Sequence, residues 1–279
     1  MKNIWVPLSG QMAQLRKVET IANNIANANT AGFKRDELVF KEHLTALTEK
    51  GQNSGDIHLP NKEFAPEDFY HTQGQENAMV KVEGSFTDFT QGTLKPTNNP
   101  LDLALFGKGF FEVLTPYGVR FTRTGHFSIS KDGEIVNERG FKLLSAQVEK
   151  SQGGDDTTSN IESRVLKVPT NLKKLSISKE GELFTDKGLA GQISVVEFKD
   201  PHALRKQGNS LYANNSETNT FTQAQKTAVH QGFEEGSNVN AVKEMAELIK
   251  ANRHFENIQK AISTYDNISG RAVNDISKF

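Results

Sequence analysis

The chain of 279 residues contains no cysteine. Disulfides, thiolate metal sites and cysteine nucleophiles are therefore excluded. Aromatic residues other than phenylalanine are scarce: there are 18 Phe against 4 Tyr and 1 Trp. Charge of either sign is nearly balanced, with a formal net charge of −1, so no strong field points to nucleic acid or an acidic membrane surface. No window approaches 18 consecutive apolar residues, the length a membrane-spanning helix needs. The opening "MKNIWVPLSGQMAQLRKVET" has no apolar core followed by a small-residue cleavage site, so a cleaved secretory signal is not expected. Hydrophobic residues make up only 35% and glycine is frequent at 22. That is below the apolar share of most compact domains. Much of the chain is expected to be extended, exposed, or buried only against other chains.

What is present begins with a helix. Ile4, Leu8, Met12, Leu15, Val18, Ala22 and Ile25 recur three or four apart, one face of a helix over 3–29. Pro7 suits its first turn and Gly32 a C-terminal stop. Asn23, Asn24, Asn27 and Asn29 cluster at its end. Asparagine competes for nearby backbone groups and disfavours helix interiors. The cluster is either a fraying end with solvated amides or a surface that hydrogen-bonds across helices and fixes register. From Ser237 onward a second stripe runs through Ala241/Val242, Met245, Leu248/Ile249, Asn252, Phe255, Ile258, Ile262, Tyr265, Ile268 and Ala272. It predicts a helix over 238–276 with Ser237 or Asn238 as N-cap, about 58 Å long at about 1.5 Å per residue.

Between the ends the pattern is β. Residues 41–90 read as extended segments and loops, with strand character at 78–89. "LDLALFG", "GFFEVLT", "VRFTRTG", "FSISKDGEIVN" and "GFKLLSAQV" are short apolar or alternating runs punctuated by glycine turns. Asp132–Gly133 is a hairpin turn signal. A polar loop spans 150–163, and β patterning resumes over 165–199. The expected class is α+β: terminal helices that pair as a coiled-coil-like element, an extended β arm and a central all-β domain. The expected segments are 1–34 (N-terminal helix), 35–90 (arm), 91–215 (β domain), 216–236 (linker) and 237–279 (C-terminal helix).

Catalytic and cofactor motifs do not emerge. Gly107–Lys108–Gly109 lacks the third glycine and following helix of a phosphate loop; it reads as a tight turn feeding an aromatic strand. The seven histidines are dispersed, without zinc-site pairing. Glu112, Asp132 and Glu134 read as solvated charges rather than an acid–base pair. Lys243, Glu244, Glu247, Lys250 and Arg253 flank the C-terminal stripe, with Lys243–Glu247 at i,i+4 spacing.

Three blocks carry a resemblance to a known family. "ANNIANANTAGFKRD" (22–36) resembles the N-terminal motif of flagellar rod, hook and hook-associated proteins. "NNPLDLALFGKGFFEV…RFTRTGHFSISKDGEIVN" (98–137) is similar to the central β signature of rod and hook proteins. "EEGSNVNAVKEMAELIKANRHFENIQKAISTYDNI" (234–268) resembles the C-terminal signature of the same axial family. The three blocks follow the family's order along the chain. Length and "RHFENIQKAI" resemble the proximal rod type most closely; the distal type is the near alternative and usually has Tyr where this chain has Phe255.

The resemblance implies a structural subunit without catalysis, cofactor or metal. The terminal helices would line the inner tube of a basal-body rod, and the β domain would face outward. The implied partners are copies of the chain, other rod proteins and, during secretion, the flagellar type III export apparatus. Nucleic acid, small-molecule substrates and membrane insertion are not implied. The implied location is the rod, spanning the periplasm. The subunit-interface residues are then Leu8, Met12, Leu15, Ala22, Asn23, Asn24, Ile25 and Asn27 on the first helix. On the last they are Asn238, Val239, Met245, Ile249, Asn252, Phe255, Ile258, Ile262 and Tyr265. Asn29, Gly32 and Phe33 form the turn into the arm. Physical reasoning agrees, because thin apolar stripes bury themselves on neighbours in a polymer, and open heterologous contacts build helical filaments. The alternative from another class is a secreted β-rich enzyme or binding module with helical extensions, which requires a concave site with convergent polar groups.

Overall fold

The computed structural model describes residues 5–45, 77–146, 161–169, 175–186, 188–216, 218–224 and 226–276. Helix α1 (Trp5–Ala26) opens the chain and helix α2 (Ala241–Ile276) closes it. Between them run β1 (Asp36–Thr45), β2 (Asn77–Thr87), β3 (Leu94–Pro96), β4 (Leu103–Phe106), β5 (Phe110–Thr115), β6 (Gly118–Thr122), β7 (Phe127–Ile129), β8 (Ile135–Asn137) and β9 (Lys142–Leu143). Then follow β10 (Leu175–Ile177), β11 (Glu182–Thr185), β12 (Gly188–Gln192), β13 (Val195–Phe198), β14 (Leu204–Lys206), β15 (Leu211–Asn214), β16 (Phe221–Gln223), β17 (Ala228–Gln231) and β18 (Phe233–Glu235). The α+β class is as expected. The polar tract within 46–76 and most of the 150–163 loop lie outside the described residues.

The chain divides into two compact units that do not follow chain order. One joins Met1–Ala22, Glu37–Phe86 and Met245–Phe279; the other joins Asn23–Asp36 and Thr87–Glu244.

In the first unit, β1 and β2 pair as a two-stranded ribbon. The covered positions of the helices in this unit coincide only in part with the sequence stripe. Ala13 and Ile21 are covered on α1 and Ala251 on α2, while Leu8, Met12, Leu15, Met245, Ile249 and Tyr265 are exposed. A Cβ on Gly10 would meet Ile258 Cδ1 at 4.0 Å, so α1 and α2 approach each other at a glycine. Half-buried Leu248, Phe255, Ile258 and Ile262 line up with Ala251 along α2 at spacings of three and four. Each helix therefore carries a covered seam and a separate open apolar face.

The second unit holds the core. Its largest sheet runs β14-β15-β6-β5-β9-β8-β7, with β13 pairing both β5 and β16. All these ladders are antiparallel. Smaller sheets join β10-β11-β12, β17-β4 and β18-β3. One apolar cluster gathers Leu105, Phe111, Val113, Phe127, Leu143 and Leu183. A second gathers Phe110, Phe121, Val196, Phe198, Leu204 and Tyr212, with Phe89 beside it. Phe110 meets Phe89, Phe198 and Tyr212 edge-on at 5.5–5.8 Å, an arrangement that aromatic quadrupoles favour. The Asp132–Gly133 turn joins β7 to β8 as expected, with Gly133 at φ +75.

Several expectations change. Helix α1 stops at Ala26, and short turns from Asn27 to Phe33 carry the chain onward. Helix α2 starts at Ala241, and its N-cap is Asn240, whose Oδ1 accepts from Lys243 N at 3.1 Å. The helix has 36 residues, so it is about 54 Å long. The stretch expected as a linker, 216–236, contains β16, β17 and β18, which pair with strands already present. Glu112 and Glu134 are buried rather than solvated. Strand β5 is covered on both faces, so Glu112 needs internal partners and finds them in Arg164 and Ser194.

Leu183 is fully buried where the β10-β11-β12 sheet meets the main core. Leu183→Ala is expected to lower unfolding free energy by about 2–5 kcal/mol, read from a shift of the urea midpoint.

Candidate functional site

The asparagine cluster leads to a polar junction in the second unit, where α1 ends and α2 begins. Asn24 is buried in the last turn of α1. Its side-chain amide closes a two-way bond with the backbone of Asp36: Nδ2 donates to Asp36 O and Oδ1 accepts from Asp36 N, both at 3.0 Å. Nδ2 also lies 3.4 Å from Glu244 Oε2. Glu244 Oε1 accepts from Arg35 Nη1 at 3.2 Å. Glu244 is thus buried in the first turn of α2 and not a solvated flank, a site where the helix dipole favours a carboxylate.

Asn238 fastens the other side. Its Oδ1 accepts from Arg35 N at 2.8 Å, and its Nδ2 donates to Asp88 O at 2.8 Å. It holds the approach to α2 rather than capping it. Gly32 is required twice over. Its φ is +63, in the left-handed region that glycine tolerates. A Cβ there would also stand 2.6 Å from Thr124 N. Its N–H donates to Glu235 O at 2.7 Å. Phe33 is buried under the Lys206 ammonium, which sits 4.3 Å from its ring centroid, a cation–π distance. The same ammonium bonds Lys34 O and, at 2.7 Å, Asp36 Oδ2.

At the centre lies Glu235, 1% exposed. Oε1 accepts from Lys34 Nζ at 2.6 Å and from Gly92 N at 3.0 Å. Oε2 accepts from Arg123 Nη1 at 3.3 Å. Lys34 also donates to Thr90 O, and Arg123 Nη2 to Gly107 O, each at 2.7 Å. Burial pushes Lys34 and Arg123 below their ordinary pKa values, against the raising effect of Glu235. Burial also lowers Lys206, opposed by Asp36. For a lysine lowered in this way the unfolded chain binds the extra proton. The burial penalty is therefore in full force at low pH and is relieved as pH rises towards 10.5.

The structure brings Asn24, Gly32, Phe33 and Asn238 together here. Asn27 turns back on Asn23, donating to Asn23 O at 2.8 Å, and accepts from Thr30 Oγ1. Ala22, Asn23 and Asn29 are exposed, and Ile25 and Val239 half-buried. Leu8, Met12, Leu15, Met245, Ile249, Asn252 and Tyr265 lie on open helix faces, with Phe255, Ile258 and Ile262 partly covered. Sequence reasoning missed Lys34, Arg123, Lys206 and Glu235, and placed Glu244 only as a charge flanking the C-terminal stripe. Lys34 and Glu235 had a local signal in the clustering of charge in "FKRDE" (33–37) and "FEEG" (233–236). Among the described residues no group of three or more His, Asp or Glu could hold a metal ion.

The groups of this site are spent largely on one another and on backbone, as in a structural joint. Comparisons with known proteins agree with that class. Three family models match: "Flagella basal body rod protein" over residues 6–34, "Flagellar hook protein FlgE/F/G D1 domain" over 104–185, and "Flagellar basal body rod FlgEFG protein C-terminal" over 230–275. A flagellar basal-body rod protein FlgF of Caulobacter vibrioides is 31% identical over 99% of this chain and 98% of its own length. FlgG of the same organism is 32% identical over 95% of this chain and 96% of its own. FlgG of Bacillus subtilis is 28% identical over 98% of both. The chain belongs to the flagellar basal-body rod protein family.

Glu235→Gln keeps the shape of the joint but leaves two buried cations without a counter-charge. It is expected to cost about 3–5 kcal/mol, measured by chemical denaturation. Asn24→Ala removes the fork to Asp36 and is expected to raise amide exchange at Asp36 while leaving β5 and β6 protected, measured by hydrogen-exchange mass spectrometry.

Proposed function

We propose that this chain is a structural subunit of the flagellar basal-body rod, of the proximal FlgF type, and that it catalyses no reaction. It assembles helically with copies of itself and with other rod proteins through its terminal helices. The polymer forms a stiff drive shaft around an export channel, and the flagellar type III apparatus delivers the subunit to the rod across the periplasm.

One observation carries this reading: the open apolar faces of α1 and α2. Met12 and Ile249 are each 55% exposed, and Leu8, Leu15, Val242, Met245, Tyr265 and Ile268 are also uncovered. Large apolar side chains repeated along two helices favour burial, at about 25 cal/mol per Å². Contacts with neighbouring subunits supply it. The joint around Glu235 supports the same reading, because it fixes where the chain leaves one helix and enters the other.

The near-complete coverage of an FlgF in both directions supports the proximal type. The equally extensive match to FlgG at 32% identity favours a second reading, the distal type. Expression of the chain in strains lacking one or the other rod protein separates the two. Restored motility only in the FlgF-deficient strain supports the proximal type; restoration only in the FlgG-deficient strain overturns it.

Met12→Glu and Ile249→Glu place charges on the open faces without touching the joint. The purified variants are expected to retain the wild-type circular dichroism spectrum and unfolding midpoint, while swimming and basal bodies with complete rods are lost. Unimpaired rods in both variants would exclude these faces as subunit contacts.

A further inference from the structure

We propose that the Arg123 Nε–H and the Tyr212 hydroxyl converge on one enclosed hydrogen-bond acceptor, a water molecule or an anion of similar size, beneath the Glu235 joint. Both side chains are essentially fully buried. Among the described residues, neither Arg123 Nε nor Tyr212 Oη has a hydrogen-bond partner. Buried polar atoms of this kind are rarely left unsatisfied, and an internal water is the usual partner. Both groups have a hydrogen to give, and the arginine can only donate. The arginine thus requires an acceptor, and one acceptor placed between the two side chains satisfies both.

The strand register puts the two side chains on one face. Tyr212 on β15 pairs with Phe121 on β6, and Arg123, just past the end of β6, follows two residues after Phe121. Side chains two apart on a strand share a face, and diagonal cross-strand neighbours lie within reach of long side chains. Arg123 Cζ stands 5.0 Å from the Phe110 ring centroid, and that ring meets Tyr212 edge-on at 5.6 Å. Lys206 pairs with Tyr212 from the other side, on β14.

Charge sharpens the chemistry. The fully buried inner trio holds two cations, Lys34 and Arg123, on a single carboxylate, Glu235. The neighbouring acids are already engaged: Asp36 by Lys206 and Thr87, and Glu197 by Thr227. An acceptor that turns its negative end to Arg123 relieves this imbalance. Burial and the charge of Asp36 also raise the Tyr212 pKa, so the phenol keeps its proton and remains a donor.

Crystals of the full chain grown in bromide provide the direct test. A density peak within about 3.2 Å of both Arg123 Nε and Tyr212 Oη is expected. An anomalous bromide signal there identifies an anion, and density without it identifies water; both support the site. A well-ordered map with no peak bridging the two atoms overturns it. Tyr212→Phe in solution gives a second readout. If the hydroxyl has a partner, its removal lowers the folding equilibrium constant about fivefold. An unchanged or raised constant would mean that the hydroxyl has no partner, and would overturn the proposal.

Discussion

The carboxylate of Glu235 takes Lys34 on one oxygen and Arg123 on the other, and the joint of this molecule is organised around that arrangement. Lys34 belongs to the segment that leaves α1, Arg123 directly follows β6, and Glu235 belongs to the last strand before α2. One acid thus ties together three places that are remote along the chain. Desolvating three charges is expensive, and much of the Coulomb gain only offsets that cost. The extra hydrogen bonds to Thr90 O, Gly92 N and Gly107 O improve the balance. They also make the arrangement geometrically demanding, since each donor has a fixed direction.

The outer layer of the joint adds direction rather than burial. Asn24 holds Asp36 by both of its backbone groups, and Asn238 holds Arg35 N while donating to Asp88 O. An amide can accept and donate at once, so each asparagine locks a backbone segment without adding charge. That explains why asparagine is tolerated at the end of α1 despite its poor helix propensity. The cluster is neither uniformly frayed nor uniformly committed. Asn24 is fixed within the chain, Asn27 folds back on Asn23, and Asn29 is exposed.

Local patterns made much of the fold legible. Apolar spacing located both helices within a few residues, and glycine turns located the strands of 103–143 because turn chemistry acts over four or five residues. The joint was only half legible. Asn24, Gly32, Phe33 and Asn238 stood out by residue type, but Lys34 and Glu235 are 201 positions apart, and no local rule relates them. The helix faces were legible in part. Hydropathy ranks leucine and methionine above glycine and alanine, whereas close helix approach favours small residues. Gly10, Ala13 and Ala251 on the covered seam therefore did not stand out. Of the conspicuous stripe, Leu248, Phe255, Ile258 and Ile262 join that seam, and Leu8, Met12, Leu15, Met245 and Ile249 stay open. Strand β5 misled: Glu112 reads as a surface charge until both faces of the strand are seen to be covered.

The base of the segment that follows β9 has a consequence of its own. Ser145 N donates to Arg164 O at 2.7 Å, Arg164 Nε and Nη2 return to Ser145 O, and the guanidinium continues to buried Glu112. The two ends of the intervening stretch are thus stapled by backbone and side chain together. One guanidinium thus serves two purposes: its loss would weaken the contact between Ser145 and Arg164 and leave the buried Glu112 carboxylate with Ser194 as its side-chain partner.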